Sequence, residues 1–206
     1  MGISERKERE RSEMRDLILQ GAQKLFLENG YEKTSIRSIA DAIEYSPATI
    51  YLYYKDKNEL FLALQVVAFQ KMIQEFAPVA AVENPIERLE ALGQHYMKFA
   101  IENPELYDLM FIMQAPMEAL ACKQEVWEDG LKSFEFLEMV IGDCIAAGHF
   151  QATRDVQDIS LMVWSFVHGM VTIYLKKRME MFEDDREMER MQQSFKLFIE
   201  LIKTGL

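Results

Sequence analysis

Cysteine is nearly absent from the 206 residues; only Cys122 and Cys144 occur. The stretch between them reads as one long helix, which would hold them up to about 33 Å apart. A disulfide needs Cα atoms within roughly 7 Å, so none is expected between them, and both read as small buried hydrophobes. Histidine is equally scarce. His95, His149 and His168 have no close Cys/His pairing, so neither a metal site nor a cofactor is expected. No apolar run approaches the roughly 20 residues needed to span a bilayer. Residues 1–15 are charged throughout and do not read as a secretory signal, so the chain is expected to be cytoplasmic with no membrane partner. No nucleophile–base pair, paired-carboxylate motif or phosphate loop stands at diagnostic spacing, which argues against an enzyme. Strand alternation is missing as well. Positive charge is in deficit, with a net of −11, which argues against a general nucleic-acid coat.

The deficit is unevenly spread. Residues 1–60 hold 10 Lys and Arg against 11 Asp and Glu, whereas the remainder holds 13 against 23. A nearly neutral N-terminal part can still meet DNA if its basic groups converge on one face, and the acidic remainder should avoid a duplex. Half of the residues are apolar, enough for a sizeable core. Every break carries helix punctuation. Gly30 reads as a left-handed C-cap of a first helix that starts near Ser12. Asn84-Pro85-Ile86-Glu87, Asn103-Pro104, Ala115-Pro116 and Thr153 read as further restarts, and a last helix runs from about 186 to 203. The expected fold is all-α, about nine helices, with a helix-turn-helix domain over 1–60 and a ligand-binding and dimerisation domain over 61–206. The mixed-charge run at residues 5–16 reads either as a solvated helical lead-in or as an arm that places arginines near phosphates.

Residues 34–57 organise the chain. Thr34 or Ser35 caps a short helix with Ile36, Ile39, Ala40 and Ile43 on its buried face. Ser46-Pro47 caps and starts a second, crowded with Thr49, Tyr51, Tyr53 and Tyr54. Asp56-Lys57-Asn58-Glu59 then opens a long apolar helix at Leu60-Phe61. Helix, tight turn and short polar helix is the arrangement in which the second helix enters the major groove. With Ile18, Ala22, Leu25-Phe26 and Glu28-Asn29-Gly30-Tyr31 upstream and Thr49 to Phe61 downstream, the stretch from Arg15 to Phe61 resembles the DNA-binding domain of the TetR family of bacterial transcriptional regulators. It departs from that pattern at Glu44 and Ala48, where glycines are usual, so an altered turn is expected. The DNA-facing residues would be Ser35, Arg37, Ser46, Pro47, Ala48, Thr49, Tyr51, Leu52 and Tyr53, with Lys55 and Lys57 on phosphates. Arg37 and Thr49 are the best candidates for base edges, and Leu52 for a thymine methyl.

Helix 155–181 is apolar nearly all round, and a helix apolar on every face must be covered on every face. Met188, Met191, Phe195, Phe198 and Ile202 make a 3-4-3-4 seam on the last helix. Phe166, Gly169, Met170, Ile173, Met191, Phe195, Phe198 and Ile202 are therefore candidates for a homodimer interface, or else for intramolecular core. Trp164-Ser165-Phe166-Val167-His168-Gly169 and Asn103 to Phe111 resemble the Trp-His-Gly subclass of TetR C-terminal domains. That resemblance implies a small-molecule effector whose binding lowers DNA affinity. Twelve of the fourteen methionines lie beyond residue 60, which suits an apolar or amphipathic guest. Tyr96, Phe99, Met110, Phe111, Met113, Phe134, Leu137, Trp164 and His168 are the candidate lining, although a lone histidine on an apolar face, as His168 is, is more often a satisfied core residue than a ligand contact. A ligand between helices 84–113 and 117–147 would push the 60–76 helix and respace the recognition helices. The functional expectation is a ligand-responsive repressor on a double-stranded operator; the alternative is an all-helical carrier or partner-docking protein without DNA binding.

Overall fold

The computed structural model describes residues 2–114, 124–151, 153, 155–182 and 185–205. Among them are nine α-helices and no strand. Cys122, the Ala115-Pro116 break and Glu183-Asp184 lie outside the described residues. Helix α1 (Ile3–Lys33) begins well before Ser12. Its mixed-charge start is solvated and helical, with Arg6–Glu10 and Arg9–Glu13 paired one turn apart at 2.8 and 3.4 Å. Gly30 breaks the helical conformation with φ 78° and ψ 165°, a region that glycine alone enters freely. The chain then passes into α2 (Ile36–Ala42), α3 (Pro47–Tyr51) and α4 (Lys57–Phe76), followed by a 3-10 turn at Ala77–Ala81.

The remainder comprises α5 (Pro85–Glu102), α6 (Pro104–Tyr107), a π-helical turn at Asp108–Ile112, α7 (Gln124–Ala146), α8 (Val156–Leu175), a 3-10 turn at Arg178–Phe182 and α9 (Glu187–Gly205). Asn84 caps α5 as its spacing suggests, its side chain accepting from the Ile86 and Glu87 amides. Thr153 does not cap α8. Asp155 does, accepting from Gln157 and Asp158 at 2.8 and 3.2 Å, and the helix stops at Leu175 rather than near Met181. An aspartate accepts two amides and adds a negative charge at the helix N-terminus, where the dipole favours it.

Packing divides the chain into two compact units, Met1–Phe69 with Glu105–Asp129 and Gln70–Pro104 with Gly130–Leu206. This differs from a single cut at residue 60. The first unit closes on Ile18, Ala22 and Phe26 of α1, Ile39 of α2, Ile50 of α3 and Leu60 and Phe61 of α4. The rings of Phe26, Tyr31 and Phe61 meet pairwise at 5.2–5.6 Å. Leu109, fully buried, completes this core from far along the sequence. Gly21 brings α1 against the end of α2, since a Cβ there would stand 2.4 Å from Ile43 Cγ2.

In the second unit α8 packs on α5 and α9. Arg88 ties α5 to α7 through Asp143 at 2.7 Å and also holds the Val82 carbonyl. Glu75 accepts from Lys98 and pairs with His95, both at 2.8 Å. The Lys98 hydrogen bond is the main influence that holds its carboxyl below the ordinary carboxylate range. By length and composition alone, Lys57–Ala81 and Val156–Leu175 are apolar enough to cross a membrane. Counting unbroken apolar runs misses this because isolated polar residues interrupt both. Each nevertheless buries one face: Leu60, Leu64, Ala68 and Met72 in α4; Ile159, Val163, Val167 and Val171 in α8.

Gly93 provides a close approach in the second unit, because a Cβ there would fall 2.2 Å from Phe195 Cζ. Gly93→Ala gains about 0.5–1 kcal/mol of helix propensity. The displaced ring costs about 1–3 kcal/mol, which outweighs it. Equilibrium urea unfolding of Gly93→Ala is expected to show a lower midpoint than the wild-type chain.

Candidate nucleic-acid interface and small-molecule site

The turn between α2 and α3 closes with paired backbone bonds. The Tyr45 amide donates to the Ala40 carbonyl at 3.0 Å and the Glu44 amide to the Asp41 carbonyl at 3.3 Å. These are the two bonds of a Schellman ending, whose residue between them is left-handed. Glu44 occupies that position with φ 60°. The glutamate therefore adopts the conformation glycine would take, and the expected alteration of the turn does not occur. Ala48 needs no glycine, being the second residue of α3 and exposed. Ser35 and Ser46 cap the two helices, accepting from the Ser38 and Thr49 amides at 3.0 and 3.2 Å. Thr34, by contrast, is buried and donates to the Leu25 and Gly30 carbonyls.

Only Ile50 of α3 is fully buried, so a single anchor leaves the other faces of the helix outward. Tyr51 is 56% exposed and Leu52 76%, unusual for large apolar side chains. Ser35, Arg37, Ser46, Ala48 and Lys55 are also exposed, and Pro47 and Thr49 are half-buried. Tyr45, 43% exposed in the turn itself, joins this surface without having been singled out from the sequence. Its register could not be read from periodicity, because it belongs to no helix.

Two expected contacts are engaged elsewhere. Tyr53 is half-buried and packs against the core. Lys57 donates to the Tyr31 carbonyl at 2.8 Å, and its ammonium stands 4.1 Å from the centre of the Tyr31 ring. The Tyr31 hydroxyl in turn bonds Asn58 Oδ1. This knot fixes the start of α4 to the end of α1. Asp56 and Glu59 complete it, Asp56 accepting from the Glu59 amide and Glu59 from the Lys55 amide.

The candidate small-molecule residues do not form one group. Tyr96, Phe134, Trp164 and His168 come together in the second unit. Trp164 Nε1 donates to Tyr96 Oη at 3.2 Å, and that oxygen lies 3.1 Å from His168 Nδ1. Phe134 meets the Trp164 ring edge-on at 6.0 Å. Burial pushes the His168 imidazole below its ordinary value, so the neutral ring is favoured. Phe99 and Leu137 are buried in the same unit. Met110, Phe111 and Met113 belong to the other one: Met110 is buried, Phe111 packs on Phe69 and Tyr107 at 5.8 and 5.0 Å, and Met113 packs on the N-terminal core.

The candidate pairing residues divide too. Met170, Met191, Phe195 and Ile202 are buried within the single chain, so the seam expected of them is intramolecular core. The row turns inward because α9 lays it onto α5 and α8, as the contact of Phe195 with Gly93 illustrates. Half-buried Phe166 stacks on Phe198 at 3.9 Å. Beside them Met162, Ile173, Leu197 and Leu201 are 40–59% exposed. Met162, Phe166, Gly169 and Ile173 follow one stripe of α8 at 4-3-4 spacing.

The bonds Lys57 makes to Tyr31 give it a structural role with a measurable consequence. Lys57→Ala is expected to lower stability by about 1–2 kcal/mol, from one charge-assisted bond and one cation–π contact at a half-buried site. Urea unfolding followed by circular dichroism checks this; an unchanged midpoint would return Lys57 to the surface contacts.

Comparison with known proteins agrees with this architecture. Residues 18–64 match the model of the N-terminal domain of bacterial regulatory proteins of the tetR family. Residues 89–196 match that of the tetracyclin repressor-like C-terminal domain. The transcriptional repressor AcnR of Corynebacterium efficiens is 32% identical over 98 residues, 48% of this chain and 46% of that repressor. The aligned stretch thus spans about half the length of that curated relative. Two solved structures share the fold. The fatty acid degradation regulator FadR of Bacillus halodurans aligns over 93% of this chain and 95% of its own, with a TM-score of 0.73 and 19% identity. FadR of Bacillus subtilis, solved with stearoyl-CoA, aligns over 92% and 98%, with 0.71 and 19%. With both domain models matched in order, and the C-terminal one alone covering more than half of the sequence, the chain belongs to the TetR family of bacterial regulatory proteins.

Proposed function

We propose that this protein is a DNA-binding transcriptional regulator, most simply a repressor, that works as a homodimer and leaves its operator when a small apolar or amphipathic molecule binds the C-terminal part. The observation that carries the reading is the exposed tip of α3. Tyr51 and Leu52 project from a helix anchored by a single buried isoleucine, beside the exposed cations Arg37 and Lys55. Such a surface offers a hydroxyl and an apolar side chain to base edges, and cations to flanking phosphates. In the same reading Ser46, Pro47, Ala48 and Thr49 approach the backbone at the N-terminus of α3, with Ser35 at that of α2. Tyr45 extends the surface from the turn. Trp164, His168 and Gly169 support assignment to the Trp-His-Gly subclass.

Two-fold operators require two copies of α3 roughly 34 Å apart, or a multiple of that. The stripe Met162, Phe166, Gly169 and Ile173, flanked by Leu197 and Leu201, is the surface we assign to the second copy. Its exposed apolar residues are what pairing would cover. A ligand shifts the population between DNA-competent and DNA-incompetent arrangements only as far as it binds one better than the other.

Selection of bound fragments from the organism's own genomic DNA tests this reading. The full chain is expected to enrich a small set of sites with two-fold related half-sites. Tyr51→Phe combined with Lys55→Ala should weaken binding to those fragments by about 10- to 100-fold in a gel-shift assay, the loss of one hydroxyl and one phosphate contact per subunit. Enrichment of no fragment, or undiminished binding by the double variant, would overturn the assignment.

A further inference from the structure

Helix α8 is the most apolar of the long helices described, yet it carries Ser160, Trp164, His168 and Thr172 at four-residue intervals. Each step advances about 40° around the helix, so the four make a shallow spiral row. Tyr96 joins the middle two: Trp164 Nε1 donates to its oxygen at 3.2 Å, and His168 Nδ1 lies 3.1 Å from the same oxygen. The outer two hydroxyls are different. Ser160 is fully buried and its Oγ has no hydrogen-bond partner, and Thr172 Oγ1 is likewise buried and unpartnered. From α7, Phe134 sets its edge against the Trp164 ring. One turn past Phe134 stands Glu138, whose Oε1 is buried and also without a partner.

Sequence spacing ties Glu138 and Ser160 to the contact of Phe134 with Trp164. Nine residues, 147–155, join α7 to α8. The turn after Phe134 and the turn before Trp164 therefore both lead toward that connection. Glu138 and Ser160 thus each stand one turn from the Phe134–Trp164 contact, on the stretch that leads to the connection. Together with Tyr96 they give an aromatic surface bordered by a carboxylate and a hydroxyl.

An ionised carboxylate oxygen can only accept hydrogen bonds, and it is costly to bury unpaired. Aromatic faces present negative potential and attract cations. One ligand group answers both. We propose that this cluster binds the head group of the effector and that the effector is an amphipathic amine, protonated at neutral pH. Its ammonium N–H donates to Glu138 Oε1 and lies against Trp164 and Phe134, and Ser160 takes a second N–H. A carboxylate or phosphate head would set a second negative charge against Glu138 and is disfavoured. The proposal rests on the reading of this chain as a ligand-responsive regulator.

Isothermal titration of the full chain with octylamine, 1-octanol and octanoate, which share one tail and differ in head group, is the direct test. Octylamine is expected to bind roughly tenfold or more tighter than octanoate, as a charge-assisted bond distinguishes them. The near-isosteric Glu138→Gln should weaken octylamine about tenfold and leave octanol within about twofold. Trp164→Phe provides a second variant and should weaken octylamine several-fold through the lost indole face. Tighter binding of octanoate, unaltered octylamine affinity in Glu138→Gln and Trp164→Phe, or no binding of octylamine by the wild-type chain would each overturn the proposal. A gel shift on the genomically selected fragments separates the two levels. DNA binding indifferent to octylamine removes the amine assignment and spares the regulator; octylamine binding lost in Glu138→Gln upholds the site even if no fragment is shifted.

Discussion

A left-handed glutamate sets the direction in which α3 leaves the core. Glu44, at φ 60°, reverses the chain through two backbone bonds and delivers Ser46 to cap α3 within two residues. A non-glycine in this conformation costs about 1–2 kcal/mol, which the surrounding contacts must cover. They do so on both sides of the turn. Ile39 and Ala40 before it and Ile50 after it are fully buried in one core, and Gly21 admits Ile43 against α1. The turn cannot relax without exposing one of these residues. The exposed tip with Tyr51 and Leu52 is therefore held by apolar burial behind it rather than by bonds of its own.

Charge distribution follows the same division of labour. The N-terminal 60 residues are close to neutral and the rest strongly acidic. The exposed cations at the tip, Arg37 and Lys55, belong to this nearly neutral stretch rather than to the acidic remainder. Lys57 is the exception among the expected phosphate ligands, since its ammonium joins α4 to the Tyr31 end of α1. Few phosphate contacts and several hydroxyl or apolar ones make a surface whose affinity should depend less on salt than that of an arginine-rich reader.

Much of this was legible in the sequence because caps and periodicity are local. Ser35, Ser46, Asp56 and Asn84 cap the helices that their spacing marks, and Ile36, Ile39 and Ala40 fall inward as their register requires. What failed depends on partners distant in sequence. The Met191, Phe195 and Ile202 seam has coiled-coil spacing, but spacing cannot tell a second copy from the α5 and α8 of the same chain. Met110 and Met113 were grouped with Tyr96 by neighbourhood in sequence, whereas Leu109 draws that segment into the N-terminal core. Lys57 read as a surface cation because nothing local marks the Tyr31 carbonyl 26 residues earlier as its acceptor. Tyr45 was hidden for another reason: a residue outside any helix has no period from which its facing can be read.

The central claim is that DNA is read at the tip of α3, with Lys55 on a phosphate and Leu52 on a base. The slope of log affinity against log salt, measured on one selected fragment for wild type, Lys55→Ala and Leu52→Ala, tests it most directly. The account predicts that Lys55→Ala reduces the slope by about one per bound subunit, as loss of a phosphate contact should. Leu52→Ala should keep the wild-type slope while narrowing the gap between the selected fragment and unrelated DNA. An unchanged slope in Lys55→Ala together with undiminished discrimination in Leu52→Ala would contradict it.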